Sequence, residues 1–197
     1  METGTQDRKA DRIIAIGAST GGTEAIFSIL RALSPAIPGI VVVQHIPPVF
    51  SRMFAERLDS QTALQVKEAQ TGDYADAGRV LIAPGDRHMR VKRIGSRYRV
   101  ECFDGNKVSG HCPSVDVLFE SLAREAGRRA VGILLTGMGY DGARGLLAMR
   151  RQGSRTIGQD EASSVVYGMP KAAFEIGAVE RQAALGRIPQ VLAELIG

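Results

Sequence analysis

Apolar residues along this chain come in short runs, and each run stops at glycine, serine or proline. Ile13 to Gly17 (IIAIG) is continuously apolar, as a buried strand is, and it ends at a Gly/Ser/Thr cluster. From Thr23 to Leu33, residues Ala25, Ile26, Ile29, Leu30 and Leu33 recur at helical spacing, and Ser34-Pro35 marks the end. A second run, Gly39 to His45 (GIVVVQH), precedes two prolines and a helical stretch over Ser51 to Leu58. Strand, helix and strand in that order read as a parallel βαβ unit. Further strands are predicted over Arg79 to Gly85, Ala130 to Gly137 and Arg155 to Asp160, with helices over Val115 to Ala126 and Ala143 to Gln152. HMRVKR and RYRVECF alternate with the period of a strand around Ile94-Gly95-Ser96, which predicts an antiparallel hairpin added to a mostly parallel sheet. The fold class is therefore α/β.

A chain of 197 residues, 44% of them hydrophobic, can bury one substantial core, and a single domain over residues 13–197 is expected after a polar, disordered lead-in over 1–12. No apolar run approaches the roughly 20 residues that cross a bilayer, and the polar start has no secretory apolar stretch, so a cytoplasmic location is expected. Cys102 and Cys112 offer no disulfide framework and fit a reducing compartment. The charge of +4 does not point to nucleic acid, because the basic residues are scattered, there is no Trp, and only pairs such as Arg128-Arg129 stand together. A mildly basic face meeting an acidic protein is the better reading.

In open α/β sheets, catalytic groups gather beyond the carboxyl ends of the strands. There the first strand runs into Gly17-Ala18-Ser19-Thr20-Gly21, the second into Gln44-His45, and the run ending at Gly137 into Met138-Gly139-Tyr140-Asp141-Gly142. Small residues in G-x-S-x-G let the chain turn sharply and expose the Ser19 hydroxyl. A hydroxyl is a poor nucleophile unless a base takes its proton, and that base needs a carboxylate to orient it. His45 and Asp141 are the candidates, with Thr20 and Met138 as backbone donors to a developing oxyanion. Read singly, Ser19 could be a helix cap, His45 a strand-end histidine and Asp141 a turn or cap residue. Their joint placement after strands favours the catalytic reading. The order Ser, His, Asp differs from that of the α/β-hydrolases.

Other chemistry is weaker. His88, His111, Cys102 and Cys112 lack the short spacing of zinc ligands, so no metal is expected. Pro113 and Ser114 read as a helix start. Gly17-x-x-x-Gly21-Gly22 and Tyr167-x-x-x-Lys171 resemble parts of a nicotinamide-dependent short-chain reductase. Against it, Gly168 and Pro170 oppose a continuous helix joining Tyr167 to Lys171, and the second strand does not end in an acidic residue.

Taken together, IGASTGG around Ser19, VVVQHIPP around His45, SRMFAERLD, IAPGDRHM, HCPSVDVLF, LLTGMGYDGARGLLAMR, EAS and YGMPKAA resemble, in order, segments of the catalytic domain of the CheB family, the protein-glutamate methylesterases of bacterial chemotaxis. The resemblance runs from Ile13 to the C-terminus. It implies a three-layer α/β/α domain with a doubly wound sheet, Ser19, His45 and Asp141 matching the family's triad, and Met138 its oxyanion-site residue. It further implies hydrolysis of glutamate methyl esters on chemoreceptor cytoplasmic helices with release of methanol, glutamine deamidation as a second activity, no cofactor, and contact with the membrane only through the receptor. Many family members carry an N-terminal receiver domain. With about a dozen residues before the first strand, none is expected in this chain. A monomer is expected. A receptor-binding module that has lost its chemistry is the non-enzymatic alternative.

Overall fold

The computed structural model describes residues 11–197, so the expected lead-in falls, up to residue 10, outside the described residues. Its last two residues are tied down: the Asp11 carboxylate pairs with Arg93 and Arg129, and Arg12 donates to the Leu195 carbonyl at 3.2 Å.

Nine strands follow in chain order: β1 (Ile13–Ala18), β2 (Gly39–Gln44), β3 (Gln65–Glu68), β4 (Arg79–Ile82), β5 (His88–Ile94), β6 (Arg97–Phe103), β7 (Ala130–Leu134), β8 (Arg155–Gln159) and β9 (Arg181–Ala183). Seven of them form one sheet in the order β3-β4-β2-β1-β7-β8-β9, every pairing parallel. Six helices connect and cover them: α1 (Gly22–Leu30), α2 (Phe50–Gln61), α3 (Val115–Glu125), α4 (Ala143–Arg151), α5 (Met169–Glu175) and α6 (Ile188–Ile196).

Every residue of β1, β2 and β7 is buried, which is why these strands read as unbroken apolar runs. The two-residue period of a strand splits each run between two cores. Ile14, Ile16, Ile40 and Val42 pack with Ile26, Leu58 and Leu192 from α1, α2 and α6. Ile13, Ala15, Val41 and Val43 face the other way, toward Phe119, Leu146 and Ala173 from α3, α4 and α5. The result is the expected three-layer, doubly wound α/β/α arrangement.

The predicted hairpin forms, but as a separate two-stranded sheet. Met89, Val91, Tyr98 and Val100 on its inner face join the core that holds Phe119 and Leu122 of α3, so it covers a helix instead of extending the sheet edge. The short strands β3 and β9 and helices α5 and α6 were not anticipated. Pro170 opens α5 as one of its first two residues, where its missing N–H costs nothing. Among the described residues no helix is long and apolar enough to cross a membrane.

Candidate active site

Chain direction reverses across the sheet at β1: the chain moves from β1 to β2 on one side and later returns to β7 on the other. Strands β2, β1 and β7 are therefore neighbours, and their carboxyl ends carry His45, Ser19 and the loop to Asp141. Alignment is close, since Ala18 pairs with Gln44, the His45 N–H donates to the Ala18 carbonyl at 3.1 Å, and the Ser19 N–H to the Thr136 carbonyl at 3.0 Å.

Ser19 is not a helix cap. Gly21 holds the cap position of α1 with φ 79°, a left-handed conformation that favours glycine, and the Ser19 carbonyl accepts from Gly22 N–H at 2.7 Å. Gln44, 3% exposed, spans the gap beneath: its Nε2 donates to the carbonyls of Ser19 at 2.9 Å and His45 at 3.2 Å. A Cβ on Gly137 would lie 2.7 Å from that of Ser19, so only glycine lets the β7 loop pass this close to the hydroxyl's own residue.

Asp141 is fully buried and accepts four hydrogen bonds. Oδ2 takes His45 Nε2 at 2.7 Å and Val115 N–H at 2.8 Å, while Oδ1 takes Ser114 Oγ at 2.8 Å and Asp116 N–H at 2.9 Å. Ser114 is the cap residue of α3, and Val115 and Asp116 begin it, so Asp141 sits on that helix's positive end. The cap reading of Asp141 thus holds in part, for a helix remote in sequence. Burial works against its charge, but the hydrogen bonds from His45, Asp116, Val115 and Ser114 outweigh burial and hold its pKa below the ordinary carboxylate value. An ionised Asp141 only accepts, so His45 Nε2 bears the proton, and Nδ1 is left buried with no partner among the described residues.

A second buried carboxylate, Asp116, lies behind the first. Burial, reinforced by the charge of Asp141, pushes its pKa up despite bonds from Ser109 Oγ at 2.6 Å and Gly145 N–H at 2.8 Å.

Of the two oxyanion candidates, Thr20 is exposed, its carbonyl accepting from Thr136 Oγ1 at 3.0 Å, and Met138 is 67% exposed on the β7 loop. Buried Gln159 supports that loop by accepting from Thr136 N–H at 2.8 Å. His111 had no assigned role in the sequence, yet its ring lies flat on that of His45, centroids 3.6 Å apart. Ser114, Gln44, Gln159 and His111 were missed as site residues because no spacing rule links them to the motif they support.

Potential ligand atoms of His45, His111 and Asp141 lie within 4.8 Å of one another. The two rings are parallel, so their in-plane lone pairs do not converge on one point, and the carboxylate oxygens are already hydrogen-bonded. The thiols of Cys102 and Cys112 are not among these grouped atoms, and burial raises both thiol pKa values, Cys102 to about 11. Tyr167 and Lys171 do not form a reductase pair: Tyr167 precedes α5 and accepts from Gln182, whereas Lys171 faces Glu175.

A family model described as CheB methylesterase matches residues 14–192. The chain is 59% identical over 196 residues to "Protein-glutamate methylesterase/protein-glutamine glutaminase 2" of Syntrophomonas wolfei, covering 100% of this chain and 58% of that protein. It is 58% identical to "Protein-glutamate methylesterase/protein-glutamine glutaminase 4" of Anaeromyxobacter dehalogenans, over 94% of this chain and 52% of the other. It spans about half the length of these curated relatives. The crystal structure of the Thermotoga maritima CheB methylesterase catalytic domain superposes with a TM-score of 0.90 at 37% identity, covering 93% of this chain and 98% of that one.

Proposed function

The chain belongs to the CheB methylesterase family, and we propose that it hydrolyses glutamate methyl esters on chemoreceptor cytoplasmic helices, with Ser19 as nucleophile, His45 as base and Asp141 as the orienting carboxylate. The observation that carries this reading is the His45 imidazole beyond the carboxyl end of β2, its Nε2 bonded to ionised Asp141 at 2.7 Å and its buried Nδ1 left without a partner among the described residues.

Ser19 Oγ attacks the ester carbonyl while His45 Nδ1 takes its proton. The imidazolium that forms is stabilised by Asp141, which sits on the α3 N-terminus and needs no reorganisation to do so. Backbone N–H groups of Thr20 and Met138 receive the tetrahedral oxyanion. His45 returns the proton to the departing methoxide, giving methanol and an acyl-enzyme. Water, deprotonated by the same base, then releases a glutamate carboxylate. A glutamine side chain entering the same cycle would lose ammonia, the second activity in the relatives' names. The chemistry needs no metal or organic cofactor. We place the protein in the cytoplasm as a monomer that meets the membrane only through its receptor.

Methanol release from radiolabelled, methylated chemoreceptor membranes tests the reaction, with Ser19→Ala at matched concentration as the control. Release by the unaltered chain alone supports it. Equal release by a folded Ser19→Ala protein would remove Ser19 from the mechanism, and none by either would remove this substrate.

A further inference from the structure

His111 and His45 are far apart in sequence, yet their rings stack with centroids 3.6 Å apart and planes within 6°. The loop that delivers His111 is braced at several points. Val108 and His111 exchange backbone hydrogen bonds, each 3.0 Å, around Ser109 and Gly110, whose φ angles of 50° and 81° give the left-handed pair of a tight two-residue turn. Ser109 Oγ donates to buried Asp116 at 2.6 Å, and the Ser109 carbonyl accepts from His111 Nδ1 at 3.0 Å. At the base of the loop, His88, 1% exposed, donates from Nε2 to the Asn106 carbonyl at 2.8 Å and accepts the Ser114 N–H on Nδ1 at 3.2 Å. A turn, a carboxylate and a buried histidine thus hold one ring against another.

We propose that His111 is a positioning residue for the base: its ring holds His45 in the plane that keeps Nε2 on Asp141 and leaves the unpartnered Nδ1 to take the Ser19 proton. The inference rests on the reading of Ser19 and His45 given above. A single hydrogen bond to Asp141 anchors one ring atom and still permits rotation about that bond. A flat ring at van der Waals distance removes the rotation. When His45 takes the proton, the face of the His111 ring already lies against it and holds its plane. His111 touches the base and no reacting atom, so its loss slows the chemistry and leaves ligand binding alone.

The test uses a fluorophosphonate probe that phosphonylates an activated serine, so it does not depend on identifying the natural substrate. The maximal labelling rate and the half-saturating probe concentration are measured for the unaltered chain, His111→Ala, His111→Phe and His111→Asn, with Ser19→Ala as blank and thermal unfolding as the check on folding. Phe keeps a flat ring without the bond to Ser109, and Asn keeps a donor for that bond without the ring. The stack predicts that Ala and Asn lower the maximal rate about three- to tenfold, the span of an aromatic contact, with half-saturation unchanged. Phe should label nearly as fast as the unaltered chain. Fast labelling of Asn with slow labelling of Phe would make the Ser109 bond, not the ring, the working contact and overturn the proposal. So would unchanged labelling of Ala, or a change confined to half-saturation. Should Ala fail to fold, the comparison of Phe with Asn decides the matter. An unlabelled but folded wild-type chain would overturn the serine-hydrolase reading and this inference with it.

Discussion

Asp141 joins its proposed orienting role to a structural one in a single side chain, and this separates it from Ser19. Ser19→Ala removes one hydroxyl that caps no helix, so unfolding should be unchanged while ester hydrolysis falls by about three orders of magnitude or more. Asp141→Asn should damage both. Its four hydrogen bonds come from two N–H donors on α3, one hydroxyl and His45. An amide in either orientation turns its own N–H toward one of these N–H groups, at about 1–3 kcal/mol for a buried unsatisfied donor. Because the folded-state pKa is depressed, the stabilisation by the ionised group is present above the ordinary carboxylate value and is lost as pH falls through the lowered one. Thermal unfolding should therefore show Asp141→Asn below wild type at neutral pH, with the gap closing in acid. A gap that does not depend on pH would contradict the assignment.

Packing of α3 against α4 brings an acid of opposite character into the same network. Asp116 joins the two helices through Gly145 N–H and joins the turn below through Ser109. Its folded-state pKa is raised, chiefly by burial. The sign is therefore reversed: whatever the protonated form contributes is fully present below the ordinary value and is lost as pH rises through the folded one. Asp116→Asn keeps an acceptor for Gly145 and removes the buried charge. It should unfold at or above the wild-type temperature at pH 7, by up to about 2–4 °C if the change is worth 1 kcal/mol, and lose that advantage in acid. Melting curves across the same pH series decide this, and a lower Tm at pH 7 would count against it. Helices α3 and α4 were legible from their apolar spacing and from Ser114, which does cap the first of them. Helix α5 was not, because Pro170 was weighed as a breaker when it stands at the helix start, where proline fits.

The central strands make the whole fold depend on a few residues buried on both faces. Ile16, fully buried in β1 between Val42 and Ile133, should cost about 2–5 kcal/mol on replacement by Ala. A lower denaturant midpoint at constant m-value would show this, and an unchanged midpoint would mean that the core can close the gap. Before the amino ends of β7 and β8, a cleft is lined by Arg93, Arg124, Arg128, Arg129 and Arg151, with Glu125 among them. Arg124 and Arg151 there lie in the last turns of α3 and α4, where basic residues complement the helix dipole. Continuous apolar runs, the turn residues after them and the ordered motifs were enough to read a parallel α/β sheet and the family and to bring forward Ser19, His45 and Asp141 as candidates, because strand burial and sharp turns are written in neighbouring residues. The detached hairpin, the seat of Asp141 on α3, the raised pKa of Asp116 and the stack of His111 on His45 were not readable in this way. Each depends on side chains from distant segments meeting at particular distances, and those distances arise only when sheet register and helix packing bring the segments together.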